Sequence, residues 1–414
     1  MVVVLGRVLA PDATMTIRLH TLKTPAQPAL PQGFALFALG FRPFFLSGSI
    51  YTVLMMGLWL LTLRGALTPT ALPPIVWHGH EMVYGYTVAV IAGFLLAAVQ
   101  NWTGIRMPSG RPLVVLFVLW LAGRVVFLVP GLPDGLVAAV DLAFLPALAF
   151  ALGRPIHRVR QLNNYPFPVM LLALTLGNVL MHAEHLGWAS GTALTGLHLG
   201  VYIVVMMMAL MGGRVIPSFT DNRLRTRARH WPAIERLVPV ATLAALLGAL
   251  VAPVSPVTAV LAACAALVHG IRWGGWVTMK YWSVPLLWIL HLGYAWIVLG
   301  FVLLALSAAG LTQATGPALH AFTSGGIGVL TLGMMARVSL GHTGRPMEPP
   351  RIMTLAFILV NLAALLRVGL PLVAPQTHPV AMALSGSVWI LAFGIFVAMY
   401  APMLVRPRVD GRMG

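Results

Sequence analysis

Charge is what this sequence lacks: only 8% of its 414 residues are Asp, Glu, Lys or Arg, against about 25% in a soluble globular protein. A chain so poor in charge, with 59% hydrophobic residues, is dissolved in lipid and leaves no soluble domain of any size. Cysteine is nearly absent too. The lone Cys264 lies within an apolar run, which excludes an intrachain disulfide, a Cys-x-x-Cys-His covalent haem attachment and an iron–sulfur cluster. Any metal must therefore be held mainly by histidine. Acidic residues number 9 against 26 Lys plus Arg, for a formal charge of +17. The basic residues sit in short loops between apolar segments, so they read as a positive-inside signal and not as a nucleic-acid surface. A cleavage-type leader is also missing, because the apolar start is cut by Arg7 and followed by Pro11 and Asp12. Residues 1–35 read as a cytosolic N-terminal tail, 36–405 as one transmembrane domain and 406–414 as a short cytosolic C-terminal tail.

What is present is a series of apolar stretches, each long enough to cross a hydrocarbon core of about 30 Å. Hydropathy and breakers together predict an all-α polytopic bundle of about twelve helices, at 37–63, 76–99, 112–130, 134–152, 166–187, 193–213, 237–252, 255–270, 283–307, 317–337, 352–373 and 379–404. The seventh and eighth are short, and their pairing is the least secure part of the layout. Charge tests it independently. With twelve crossings, 23 of the 26 basic residues fall on the side shared by the termini, the opposite loops hold only Arg64, and Arg124 and Arg367 lie inside helices. Both termini are then cytoplasmic and the chain is a multi-pass protein of a bacterial inner membrane.

Orientation gives each of the 13 histidines a depth. His78, His80, His182, His185, His198 and His320 come from four helices and fall within roughly 10 Å of the outer surface, at 1.5 Å per helical residue. His378 joins them at the start of the last helix, while His291 sits near the middle of the ninth as a further candidate ligand. Residues three or four apart share a helix face. His182 therefore aligns with His185 and Asn178, His78 with Glu81, and His198 with Tyr202; His80 looks elsewhere unless its helix starts irregularly. Neutral imidazoles converging from several helices are natural ligands of haem iron or copper, with Glu81, Glu184, Tyr202 and Asn178 orienting them or carrying protons. Any single interfacial histidine can instead bond a neighbour or water, but intramembrane ionisable groups in such number favour a metal site. Met206, Met207, Met208 and Met211 offer thioethers to copper, although methionine is also common packing material. Arg124 and Arg367 are candidates for pairing with haem propionates, and Asp141, at similar depth in the next helix, is a rival partner for Arg124.

Several blocks of the sequence match a known pattern: Leu36 to Phe45, Trp77-His78-Gly79-His80-Glu81-Met82, Asn101-Trp102-Thr103-Gly104, Gly213 to Thr220, and His320 through Gly328 to Arg345. On these the chain resembles the NnrS family from about residue 36 to 400. The resemblance implies a membrane protein of about twelve helices with non-covalent haem and copper, associated with nitric oxide, denitrification and protection from nitrosative stress. It implies a redox or ligand-binding protein meeting nitric oxide or nitrosyl-metal species near the periplasmic face, served by an unidentified electron donor, and it leaves open whether turnover takes place. The His-Pro-Glu-Val-Tyr type of motif that marks haem–copper oxidases is absent. A transporter of copper, haem or a small anion is the alternative, although the polar groups gather at one face and not at broken helices near the midplane.

Overall fold

A computed structural model describes residues 33–67, 72–311 and 315–412. Most of the expected N-terminal tail, with His20, lies outside the described residues, as do 413 and 414 of the C-terminal tail. Among the described residues there is no strand, and twelve helices are long and apolar enough to cross a membrane. Spans 1 to 6 are Phe41–Leu63, Pro74–Thr103, Arg111–Leu128, Asp134–Arg158, Leu162–His185 and Thr192–Leu224. Spans 7 to 12 are Pro232–Val251, Pro256–Gly274, Pro285–Ala308, Gly316–His342, Arg351–Val373 and Pro375–Val405. Each corresponds to one expected helix, the short seventh and eighth included.

The sequence writes these boundaries with proline and glycine. Proline occupies the first turn of spans 7, 8 and 9 at Pro232, Pro256 and Pro285, where its missing N–H leaves no bond unmade. Gly104 (φ 69°) terminates span 2 in the left-handed region, where glycine carries no Cβ penalty. Span 6 departs most from expectation. The breaker-like Gly212-Gly213-Arg214 predicts an end at 213, yet the helix continues to Leu224 through Pro217. The two glycines serve packing instead: a Cβ on Gly213 would collide with the Arg272 guanidinium, and one on Gly212 would lie 3.0 Å from the Tyr294 ring. At 33 residues and 1.5 Å per residue, the helix runs about 50 Å, so its last turns project past a hydrocarbon core of about 30 Å.

The two ends of the chain are tied together. Ala35 N–H donates to the Val405 carbonyl at 2.8 Å. The fully buried Arg42 directs Nη1 at the carbonyls of Met403, Leu404 and Arg406, at 3.2, 2.9 and 2.6 Å. A helix C-terminus leaves such carbonyls without intrahelical partners and carries partial negative charge, so one guanidinium satisfies both needs. The described chain thus begins and ends on one side of the bundle, as an even number of crossings requires.

Spans 5 and 6 approach most closely where both are glycine. Without an aqueous driving force, transmembrane helices associate through packing, and small residues let backbones touch. A Cβ on Gly196 would run into the Gly177 carbonyl oxygen and lie 3.0 Å from Leu180 Cβ. Gly196→Ala is expected to lower stability by about 1–3 kcal/mol. Gly394→Ala, whose Cβ would meet nothing within 4 Å, should leave it unchanged. Thermal unfolding in detergent reads both, and equal melting shifts would show that this contact does not govern the helix pair.

Candidate metal centre and its charge network

Span 2 changes its winding where the expected site begins. Pro74–His80 is α-helical, Glu81–Thr87 is a π-helix, and Val88–Thr103 is α-helical again. Span 10 does the same: an α-turn ending at His320, a π-helix over Ala321–Ile327, then α-helix from Gly328. Such π segments are rare and frequent at functional sites. In both spans a histidine is the last residue before the change.

On one side of span 2 lies a wholly buried charge network. Arg124, on span 3, donates from Nη1 to Glu81 Oε2 at 2.7 Å and from Nη2 to Asp141 Oδ1 on span 4. Gly123 permits this approach, since a Cβ there would stand 3.1 Å from Asp141 Oδ1. Asp141 Oδ2 accepts from Asn178 Nδ2 at 2.7 Å and from His182 Nε2 at 2.9 Å, both on span 5. His80 joins Glu81 Oε1 through Nδ1 at 2.9 Å, and Asp141 Oδ2 and Asn178 Oδ1 through Nε2, both at 3.0 Å. Tyr51, from span 1, donates its hydroxyl to Glu81 Oε2. Five spans therefore meet at two carboxylates and one guanidinium. With neutral imidazoles the group carries one net negative charge. Both nitrogens of His80 face oxygen acceptors, the geometry of a ring that donates twice.

His80, Asp141 and His182 can also hold a metal ion, because their ligand atoms lie within 4.8 Å of one another. Two imidazoles and one carboxylate form a donor set suited to a transition-metal ion. His182 Nδ1 is buried without a hydrogen-bond partner, and since Nε2–H donates to Asp141, that nitrogen carries a free lone pair. One monovalent cation would cancel the net charge as well as one proton does.

On the other side of span 2 is a cavity of about 270 Å³, lined by His78, His320, His378 and Arg367 together with Trp59, Tyr86 and Trp389 among others. His78 stacks on Trp59 with ring centroids 4.3 Å apart. His320 Nδ1 lies 2.8 Å from the Gly316 carbonyl. A carbonyl can only accept, so Nδ1 carries the hydrogen and Nε2 keeps its lone pair, the arrangement usual for a metal-ligating histidine. Arg367 Nη1 stands 3.4 Å from His378 Nε2.

The outer histidines thus divide between two places. His80 and His182, with Glu81 and Asn178, enter the network; His78 and His320, with His378 and Arg367, enter the cavity. His185 pairs at 3.2 Å with the exposed Asp134, and His198 stacks on Tyr202 at 6.0 Å. Glu184 accepts the Ala193 N–H at 2.7 Å and so caps the start of span 6. His291 is remote from both sites: its Nε2 bonds Thr220 at 3.0 Å and its ring stacks on Tyr281 at 4.2 Å. Arg124 is committed to Glu81 and Asp141, the rival pairing that depth suggested, and is not placed to meet a propionate in the cavity. Glu81 does not pair with His78 as α-helical spacing predicts; its carboxylate is taken by His80, Arg124 and Tyr51. Sequence spacing also gave no sign of Tyr51. A second buried network, in which His269 bonds Thr242 and Tyr294 at 2.8 Å each and Arg272 pairs with Glu235, ties spans 7, 8 and 9 together.

Fold and site together define a multi-pass helical membrane protein with buried, histidine-rich polar centres. More specifically, the chain belongs to the NnrS family: the NnrS protein family profile matches residues 35–408. The family is a metal-binding one associated with nitric oxide. No curated protein sequence matches the chain.

Removing one partner of a buried ion pair typically costs about 3–5 kcal/mol, because the remaining charge stays buried and unpaired. Arg124→Leu, which strands Glu81 and Asp141 together, should lose stability on this scale. Adding Asp141→Asn to it leaves Glu81 opposite His80 and should recover part of the loss. A double-mutant cycle on detergent melting curves measures the coupling, and strict additivity would mean that the network does not act as a unit.

Proposed function

We propose that this protein is a haem- and copper-binding membrane protein that meets nitric oxide or nitrosyl-metal species, in nitric oxide metabolism and protection from nitrosative stress. The observation that carries the reading is the convergence of three imidazoles and one guanidinium, from spans 2, 10, 11 and 12, on a single cavity. Family membership supports it independently. The donors fit haem: His320 presents a fixed Nε2 lone pair, His78 faces the same space, and Arg367 is a cation for a propionate carboxylate. At about 270 Å³ the cavity stands just below the range of about 300–1,000 Å³ usual for cofactor and ligand pockets, so a tetrapyrrole requires part of its lining to move outward. Copper fits the buried His80, Asp141 and His182 set, where a cuprous ion would take the place of the proton that lets His80 donate twice.

Held in the cavity by His78 and His320, haem would supply a metal able to bind nitric oxide or to pass electrons. The chain's own residues act through their placement. Gly316 holds the His320 ring in one tautomer, Trp59 fixes the plane of His78, and Arg124 holds the Asp141 carboxylate beside His80 and His182. The basic residues gathered on the side of the chain termini support a cytoplasmic position for that side, with both histidine sites toward the periplasm of an inner membrane.

Protein purified in detergent should show a Soret band and contain copper. His78→Ala and His320→Ala are expected to lose haem absorbance, and His182→Ala to lose copper, whereas His185→Ala and His198→Ala keep both. A colourless, metal-free preparation of folded protein would sink the reading. Equal loss from all five variants would show that neither cavity nor network is the metal site.

A further inference from the structure

A second cavity lies against the first, along the same helices. The histidine-lined cavity is bordered by Tyr86 and Thr87 on span 2, Val201 on span 6 and Ile327 on span 10. The second is bordered by Thr87 and Val90, by Val204, and by Leu330 and Thr331. Each set lies three or four residues further along its helix, one turn deeper. Thr87 belongs to both walls. The second cavity measures about 100 Å³.

Its lining is almost without polarity. Apart from Thr87 and Thr331, it consists of aliphatic, aromatic, methionine and glycine residues, including Met207, Met208 and Phe167. Both hydroxyls are spent. Thr87 donates to the Met82 carbonyl at 2.7 Å. Thr331 donates to the Ile327 carbonyl at 2.6 Å and meets the Tyr86 hydroxyl at 2.6 Å. A buried water needs two to four polar partners, and apolar cavities of comparable size stay dry and take up xenon or benzene. An anion or a strongly hydrated species finds nothing here to replace its water. A small uncharged gas molecule needs no such replacement and leaves water for apolar surroundings.

Between the two cavities stands Tyr86. It lines the first, while its hydroxyl bonds Thr331, which lines the second. Its ring is held edge-on by Trp389 and Phe393, at 6.2 and 5.4 Å. From this placement we infer that the apolar cavity is a holding site for a small uncharged diatomic gas on its way to the histidine-lined cavity, and that the Tyr86–Thr331 hydrogen bond is the partition the gas must pass. The inference rests on the reading that a gas-binding metal occupies the histidine-lined cavity. The four methionines Met207, Met208, Met211 and Met334 then serve as pliable, polarisable walls.

Two measurements on the intact, metal-loaded protein test this. Xenon-pressurised diffraction should place xenon in the apolar cavity of the unmodified protein, and Val204→Phe, which projects a ring into that space, should abolish it. Flash photolysis with nitric oxide should then show association slowed about tenfold in Val204→Phe, equivalent to about 1.4 kcal/mol on the barrier, with haem content unchanged. Tyr86→Phe, which removes the hydroxyl and keeps the ring, should speed association several-fold. Absence of xenon from the unmodified protein would overturn the proposal. So would a Val204→Phe protein that has lost its xenon and keeps its association rate. Should Val204→Phe fail to fold, xenon in the unmodified protein and the rate in Tyr86→Phe still decide, an unchanged rate counting against the partition. A folded, metal-free protein that takes up xenon would overturn the metal reading, and with it the transfer role, while leaving the cavity's affinity for gas intact, so the two failures are distinguishable.

Discussion

Arg124 is the residue on which the first half of the bundle depends. Hydrocarbon offers no water to a buried charge, so every ionised group inside the membrane must find its compensation within the protein. Glu81 and Asp141, on spans 2 and 4, are both turned toward one guanidinium on span 3. The remaining capacity of those carboxylates is filled by Tyr51 of span 1, His80 of span 2, and Asn178 and His182 of span 5. A shift of span 2, 3 or 4 by one residue would break an ion pair inside the bundle, and a shift of span 1 or 5 would remove a hydrogen bond from one of the carboxylates. Replacing such a network with packed apolar residues can be neutral or stabilising in other proteins. Its retention here therefore points to a role in fixing register or in holding a cation, not to stability alone.

With that register set, the division of span 2 into two sites comes from winding. Successive α-helical residues turn by about 100°, so His78 and His80 point roughly 200° apart, one toward the cavity and one toward the network. The Glu81 carboxylate, where the π-helix begins, is held on the side of His80 by His80 and Arg124. Span 10 has a π-helix too, after His320, whose ring is pinned by Gly316 one turn back. In both spans a histidine is the last residue before the change of winding, His80 facing the network and His320 facing the cavity.

Much of this was legible in the sequence, and the part that was not has a physical cause. Long apolar runs, prolines in first turns and terminal glycines carry enough local information to place twelve helices. The one large boundary error, at Gly212-Gly213, arose because glycine marks both helix ends and close packing, and only the positions of Arg272 and Tyr294 distinguish the two. Of the candidate histidines, His80 and His182 fall in the buried network and His78 and His320 in the cavity, while His185 and His198 fall in neither. The separation of His78 from His80 was legible in regular helical spacing, whereas the pairing of Glu81 with His80 and Arg124 and the π segments at Glu81 and Ala321 were not. Nor could spacing within one helix find Tyr51, which reaches Glu81 from another span. Asp141 was visible only as a partner for Arg124, since an acid's role as a hub for three donors depends on span 5.

The arrangement also sorts ligands by charge. Among the described residues lining the histidine cavity, Arg367 on span 11 is the only one with a fixed charge, and the cavity continues toward a space whose hydroxyls are already bonded. A carboxylate or other anion can be held at the outer part, beside Arg367 and His378, but gains nothing by moving deeper. A neutral diatomic meets the opposite gradient, because the apolar space costs it no solvation while the outer part offers it no pairing. One bundle can therefore anchor an anionic cofactor from one direction and admit an uncharged gas from the other, provided the imidazoles between them stay neutral. Placing Glu81, Asp141 and Arg124 on the far side of span 2 is what keeps that corridor free of ionised groups.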